Sequence, residues 1–138
     1  MKQAALSLSL AALAAAGLAA PVLAEPRPSP DAQLAKALAG RVPGKPVDCI
    51  DPRTNSNTQI IGRTAIVYGS GRTIYLQRPD NARSLQSDDV LVTNLRGSGM
   101  LCRLDIVHLH DQTSGFNHGF VGLNAFVPYT RERVAGRE

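Results

Sequence analysis

From Val47 onward the sequence is a succession of short runs rich in Val, Ile, Thr and Tyr, separated by Gly, Asn, Asp and Ser. Runs of this length and composition suit strands joined by tight turns. No long helical pattern follows any of them, so parallel βαβ architecture is excluded. The runs are Val47–Ile50, Thr58–Ile61, Thr64–Tyr68, Thr73–Gln77, Asp89–Asn94, Met100–His110 and Gly119–Val127, the last ended by Pro128. The clearest hairpin joins Thr64–Tyr68 to Thr73–Gln77 through Gly69-Ser70-Gly71-Arg72. In it Ala65 and Val67 share one face, Ile74 and Leu76 share a face on the partner, and Tyr68 and Tyr75 point the other way. The expected fold is mainly β: a small antiparallel sheet curling to a barrel or sandwich, with one short N-terminal helix after a signal peptide.

The segment before Val47 has a different texture. Lys2 is followed by an uncharged Ala- and Leu-rich run to residue 20, then by Pro21 and Val22-Leu23-Ala24. A basic start, an apolar stretch and small residues before a polar segment are the three parts of a secretory signal. Cleavage is expected between Ala24 and Glu25. The apolar run is slightly short for a membrane span, and no cysteine lies near the cut to take a lipid anchor. Removing 24 of 138 residues leaves 114, too few for a TIM barrel, which needs roughly 250. The expected organisation is signal peptide 1–24, Pro-rich arm and short helix 25–43, β-rich domain 44–130 and charged tail 131–138. The helix is expected over Asp31–Ala39, with Ser29 or Asp31 capping its start and Gly40 stopping it. Arg41–Pro46 is expected to turn, because six prolines lie between residues 26 and 52.

Charge excludes one function class. The net charge is +4 and twelve of the fifteen basic residues are Arg. They are spread one per turn or strand. Nucleic-acid binders gather basic charge on one face, so no nucleic-acid partner is expected. No segment after the signal is long and apolar enough to span a membrane. The chain is expected in the periplasm or secreted.

Cys49 and Cys102 are the only cysteines. In an oxidising compartment two lone cysteines are expected to form a disulfide. The alternatives are two buried thiols or one nucleophilic thiol, but neither residue sits in a C-x-x-C motif.

Gly44-Lys45-Pro46-Val47-Asp48-Cys49-Ile50, Ile60–Tyr68, Ile74-Tyr75-Leu76, Leu101-Cys102-Arg103-Leu104-Asp105 and Phe126-Val127-Pro128-Tyr129 occur in this order. This pattern resembles a family of small exported proteobacterial domains of unknown function, over roughly residues 44–130. The resemblance implies export and a small β-rich fold. It implies no activity.

His108, His110 and His118 are the only local cluster of metal-ligating type, with Asp105 and Asp111 nearby. His-x-His on a strand places two imidazoles on one face, and a third donor would complete a zinc or copper site. The bland reading is a strand end meeting solvent. The apolar side of Met100–His110 switches near residue 106, which a β-bulge would explain. Asp105, set among apolar residues, needs an Arg or a backbone donor if buried. Asp88 and Asp89 read as a loop face. Ser70 and Ser98 lie in Gly-Ser-Gly turns without the strand–turn–helix context of a nucleophile elbow. Phe116, Phe120, Phe126 and Tyr129 are four of the six aromatics. They are expected in the core, with an exposed binding strip as the alternative.

No catalytic set is assembled and no cofactor is implied. The leading expectation is a non-enzymatic periplasmic or secreted accessory domain that binds a protein or a cell-envelope component. The alternatives are an exported metal-binding protein using His108, His110 and His118, and a small secreted protease inhibitor using the arm Glu25–Pro30. A small hydrolase comes last.

Overall fold

A computed structural model describes residues 24–133. The signal peptide lies outside the described residues except for Ala24. The chain folds as α1 (Pro30–Leu38), β1 (Arg41–Pro43), β2 (Cys49–Ile50), β3 (Thr58–Ile61), β4 (Ala65–Tyr68) and β5 (Thr73–Gln77). A 3-10 turn over Ala82–Ser84 follows, then β6 (Asp89–Thr93), β7 (Leu101–Cys102), β8 (Ile106–Asp111), β9 (Asn117–Gly122) and β10 (Val127–Arg131). Every strand pairing is antiparallel. The sheets are β1-β10-β5-β4-β3, β2-β7 and β6-β8-β9. The mainly β fold is therefore as expected, but the sheets do not close into a barrel.

The five-stranded sheet is buried on both faces at its centre, along β4. Ser29 caps α1, its hydroxyl accepting the Ala32 N–H at 3.2 Å. Leu34 then packs on Ile61, Ala65, Val67, Ile74 and Leu76. The opposite face carries Ile66 and Tyr68, which pack with Leu101, Val107, Leu109, Val121 and Phe126 from the other sheets. The β4–β5 register opposes Tyr68 to Tyr75 and Val67 to Leu76, so the faces fall as the alternation predicts. Cys49 and Cys102 sit directly opposite each other in the β2–β7 pair and are bonded, with Sγ atoms 2.03 Å apart.

Three segments depart from the expected strands. Arg41–Pro43 is not a turn; it is an edge strand on β10. An edge tolerates Pro43 because one side of the strand needs no donor. The last run does not end at Pro128. It divides into β9 and β10, and Pro128 lies inside β10 opposite Tyr75. The Pro128 carbonyl accepts the Gly44 N–H at 2.7 Å, so its missing N–H falls on the β1 side, just past the end of β1. Finally, Met100–His110 is two strands. The face switch is made by a turn at Arg103–Asp105, where Leu104 takes φ 73°. Asp105 closes that turn by accepting the Cys102 N–H at 2.7 Å, the backbone donor its sequence context called for. A bulge does occur in β8–β9, but between Leu109 and His110.

The exposed edge of β9 is covered by one side chain. Asn81 donates its amide to the Phe120 carbonyl and accepts the Gly122 N–H at 3.1 Å.

Candidate functional site

The β6-β8-β9 sheet has one buried face and one open face. Alternation along each strand decides which side chains fall where. Leu91, Val107, Leu109 and Val121 point into the core. Val90, Val92, Ile106, His108, His110 and Phe120 fall on the other side. The register sets Val92, His108 and Phe120 in one cross-strand row, and Val90, His110 and Asn117 in the next. Nothing in the described residues covers this face: Val90, Val92, Ile106 and Phe120 are each exposed.

The loops extend the apolar surface. Leu104 is 78% exposed and Phe116 75%. Leu104, Ile106 and His108 share one hollow with Arg96, Arg103 and Asp105. The four late aromatics are thus divided. Phe126 is fully buried and meets Tyr68 edge-on at 5.9 Å, whereas Phe116 and Phe120 face outward.

Both histidines of the open face are held by neighbours. His110 Nδ1 lies 3.0 Å from the Gly115 carbonyl. His108 Nδ1 lies 3.2 Å from the Asn117 amide nitrogen, whose partner oxygen accepts the Gly119 N–H. His118 is elsewhere. It is the extra residue of the β9 bulge, and its Nε2 contacts Asp89 Oδ1 at 2.6 Å. The structure therefore brings His108 and His110 to one face and sends His118 to another. Among the described residues no three His, Cys, Asp or Glu side chains are gathered as a metal site.

Comparison with protein-family models, with curated proteins and with solved structures gives no match. The chemistry of the site therefore rests on its geometry.

A second feature departs from the sequence expectation. Asp89, expected on a loop face, opens β6 with its side chain only 1% exposed. Its two oxygens take His118 and the Gln86 N–H, the latter at 2.8 Å. Spacing held the clue, since Asp89, Leu91 and Thr93 alternate with Val90 and Val92. Between the two sheets, Asp89 also lines a cavity of about 360 Å³ with Tyr68, Leu91 and Val107. The Pro-rich arm lies near α1, where Gln33 donates to the Pro28 carbonyl at 2.8 Å.

Among the described residues no helix is long and apolar enough to cross a membrane. A bonded cysteine pair is compatible with an oxidising compartment.

Proposed function

We propose that the chain is a non-enzymatic domain of the periplasm or extracellular space that docks a protein of the cell envelope through the open face of the β6-β8-β9 sheet. Leu104 carries this reading. It is the most exposed large hydrophobic residue among those described, and it is held at positive φ. A non-glycine residue at positive φ costs roughly 1–2 kcal/mol, and such outliers are kept where the surroundings or a function require them. Here the cost holds an apolar side chain in water, in the same hollow as Ile106 and His108. Apolar surface gathered in this way marks an interaction site.

The occupant is a protein with an apolar patch and a carboxylate at its rim. The open face itself bears no charged side chain, while Arg96, Arg103 and Asp105 border its Leu104 end; Arg103 lies 3.5 Å from Asp48, which leaves Arg96 without an ion-pair partner among the described residues. Complementary charge at a rim steers association and fixes orientation. The signal-like N-terminus, the disulfide and the resemblance to small exported domains all support an extracytoplasmic setting.

The test uses a photo-crosslinking residue at position 104 or 120 in cells, with position 59 on β3 as control. The expected result is one discrete adduct from 104 and 120 and none from 59. The captured protein, once purified, should bind the purified domain, and Leu104→Asp or Phe120→Asp should abolish binding. Equal adducts from all three positions, or adducts only between copies of this chain, would overturn the proposal.

A further inference from the structure

A concavity of about 580 Å³ lies away from the open face, between the β3–β4 turn, the segment 83–87 and the bulge of β9. Arg63, Arg83, Ser84, Ser87 and His118 line it, and no carboxylate is among its lining residues. Among the described residues neither Arg63 nor Arg83 is within ion-pair distance of an acidic group. Asp89 anchors one wall from behind, through its contact with His118, while facing the cavity on its other side.

The backbone at Arg63 is the decisive observation. Thr64 N–H donates to the Ile61 carbonyl at 3.0 Å, which closes a four-residue turn with Gly62 and Arg63 at its centre. The second central residue takes φ 60°. Glycine or Asn is the usual occupant of such a position. In this turn the glycine stands one place earlier, where a Cβ would meet only the Ser87 hydroxyl at 2.8 Å, an end that a rotamer change moves aside. The left-handed position is held by an arginine. Its N–H donates to the Leu85 carbonyl at 2.9 Å, tying the turn to the opposite wall. Elsewhere among the described residues positive φ falls on glycine at five positions, and on Leu104. Leu104 belongs to the surface already discussed.

We infer that this concavity binds a phosphoryl or sulfuryl group, held by the Arg63 and Arg83 guanidinium groups and by the hydroxyls of Ser84 and Ser87. Two planar guanidinium forks and two hydroxyls offer more donors than the two oxygens of a carboxylate can use, and they suit a tetrahedral oxyanion. The anion can be free or can belong to a lipid headgroup, since the recognised chemistry is the same.

The experiment titrates the full folded chain with inorganic phosphate, sulfate and acetate, followed by amide NMR shifts. In parallel, vesicles of phosphatidylglycerol with phosphatidylcholine are compared with phosphatidylcholine alone. Phosphate and sulfate should bind saturably at one site, with the amides of residues 62–64 and 83–87 shifting, and acetate should bind at least tenfold more weakly. Arg83→Gln and Arg63→Gly should each weaken phosphate at least tenfold. Arg63→Gly should also raise Tm by about 4 °C or more, because glycine relieves the left-handed strain. That opposite movement of binding and stability separates a ligand role from a structural one. Binding of phosphatidylglycerol vesicles that is lost with Arg63→Gly would assign the headgroup as the source; phosphate binding without it would assign a free anion. Absence of saturable binding by both phosphate and the anionic vesicles, binding unchanged in both variants, or a lower Tm for Arg63→Gly would overturn the inference.

Discussion

Gln77 and Asn124 are joined by two hydrogen bonds between one side chain and one backbone. The Gln77 amide donates to the Asn124 carbonyl at 2.7 Å and its oxygen accepts the Asn124 N–H at 3.0 Å. The Asn124 side chain then continues to the Arg78 carbonyl at 2.9 Å and to Asp80 at 2.8 Å. Gln77 is fully buried, so this clasp fixes the β9–β10 connection to the end of β5. Replacing Gln77 by Leu keeps the volume but leaves two backbone groups without partners. The expected loss is about 2–4 kcal/mol. Urea unfolding of Gln77→Leu checks it, and a change within 0.5 kcal/mol would show that water replaces the clasp.

The Cys49–Cys102 bond closes the chain across 53 residues. On the chain-entropy account such a loop contributes about 4 kcal/mol. The Cys49→Ser, Cys102→Ser double variant should unfold at correspondingly lower urea. In the wild-type protein a thiol reagent should find no reactive sulfur until reductant is added.

Acid should loosen the β8–β9 connection before the core. The Asp111 carboxylate accepts the Ser114 N–H at 2.6 Å, the Ser114 hydroxyl at 2.8 Å and the Thr113 N–H at 3.0 Å. These bonds, Ser114 foremost, hold its carboxyl below the usual aspartate range. A carboxyl lowered in the folded state stabilises it above the unfolded pKa of about 3.9, and that contribution is lost as pH falls through the lower folded value. Protection of the Ser114 amide, taken relative to the intrinsic exchange rate at each pH, should therefore fall below about pH 4. In Asp111→Asn the protection should be low throughout.

Alkali should act through Tyr68. Burial pushes its phenol well above the ordinary tyrosine range. The unfolded phenol ionises near pH 10 while the folded one keeps its proton, so stability is full below about pH 10 and falls as pH rises beyond it. Tyr68→Phe should flatten that decline. An ultraviolet titration of the wild-type protein should show one phenol that ionises only as the chain unfolds.

Much of the scaffold is legible in the residues. The β4–β5 hairpin is marked by Gly69 and Gly71 between two alternating runs, and the register follows from the alternation. The cysteine pairing follows from there being only two. Pro128 misleads because its cost depends on which side of a strand lacks a neighbour, and that is a tertiary fact. Met100–His110 misleads because a mostly apolar run, broken by charge only at Arg103 and Asp105, conceals a turn whose left-handed residue is leucine. Arg63 is hidden for the same reason. Nothing about an arginine announces a positive φ. The open face is half legible: Phe116, Phe120, Phe126 and Tyr129 together allow an exposed strip, but the division of Phe116 and Phe120 from Phe126 depends on which sheet each strand joins.

Asn81 has a further consequence for a molecule with a sticky flank. An uncovered strand edge invites another chain to add on, and each addition leaves a fresh edge, so the process has no natural end. By occupying the Phe120 carbonyl and the Gly122 N–H, Asn81 imitates the next strand and denies that template. At the β9 edge, association through Phe120 is thereby steered face to face, toward a closed complex instead of a growing fibre.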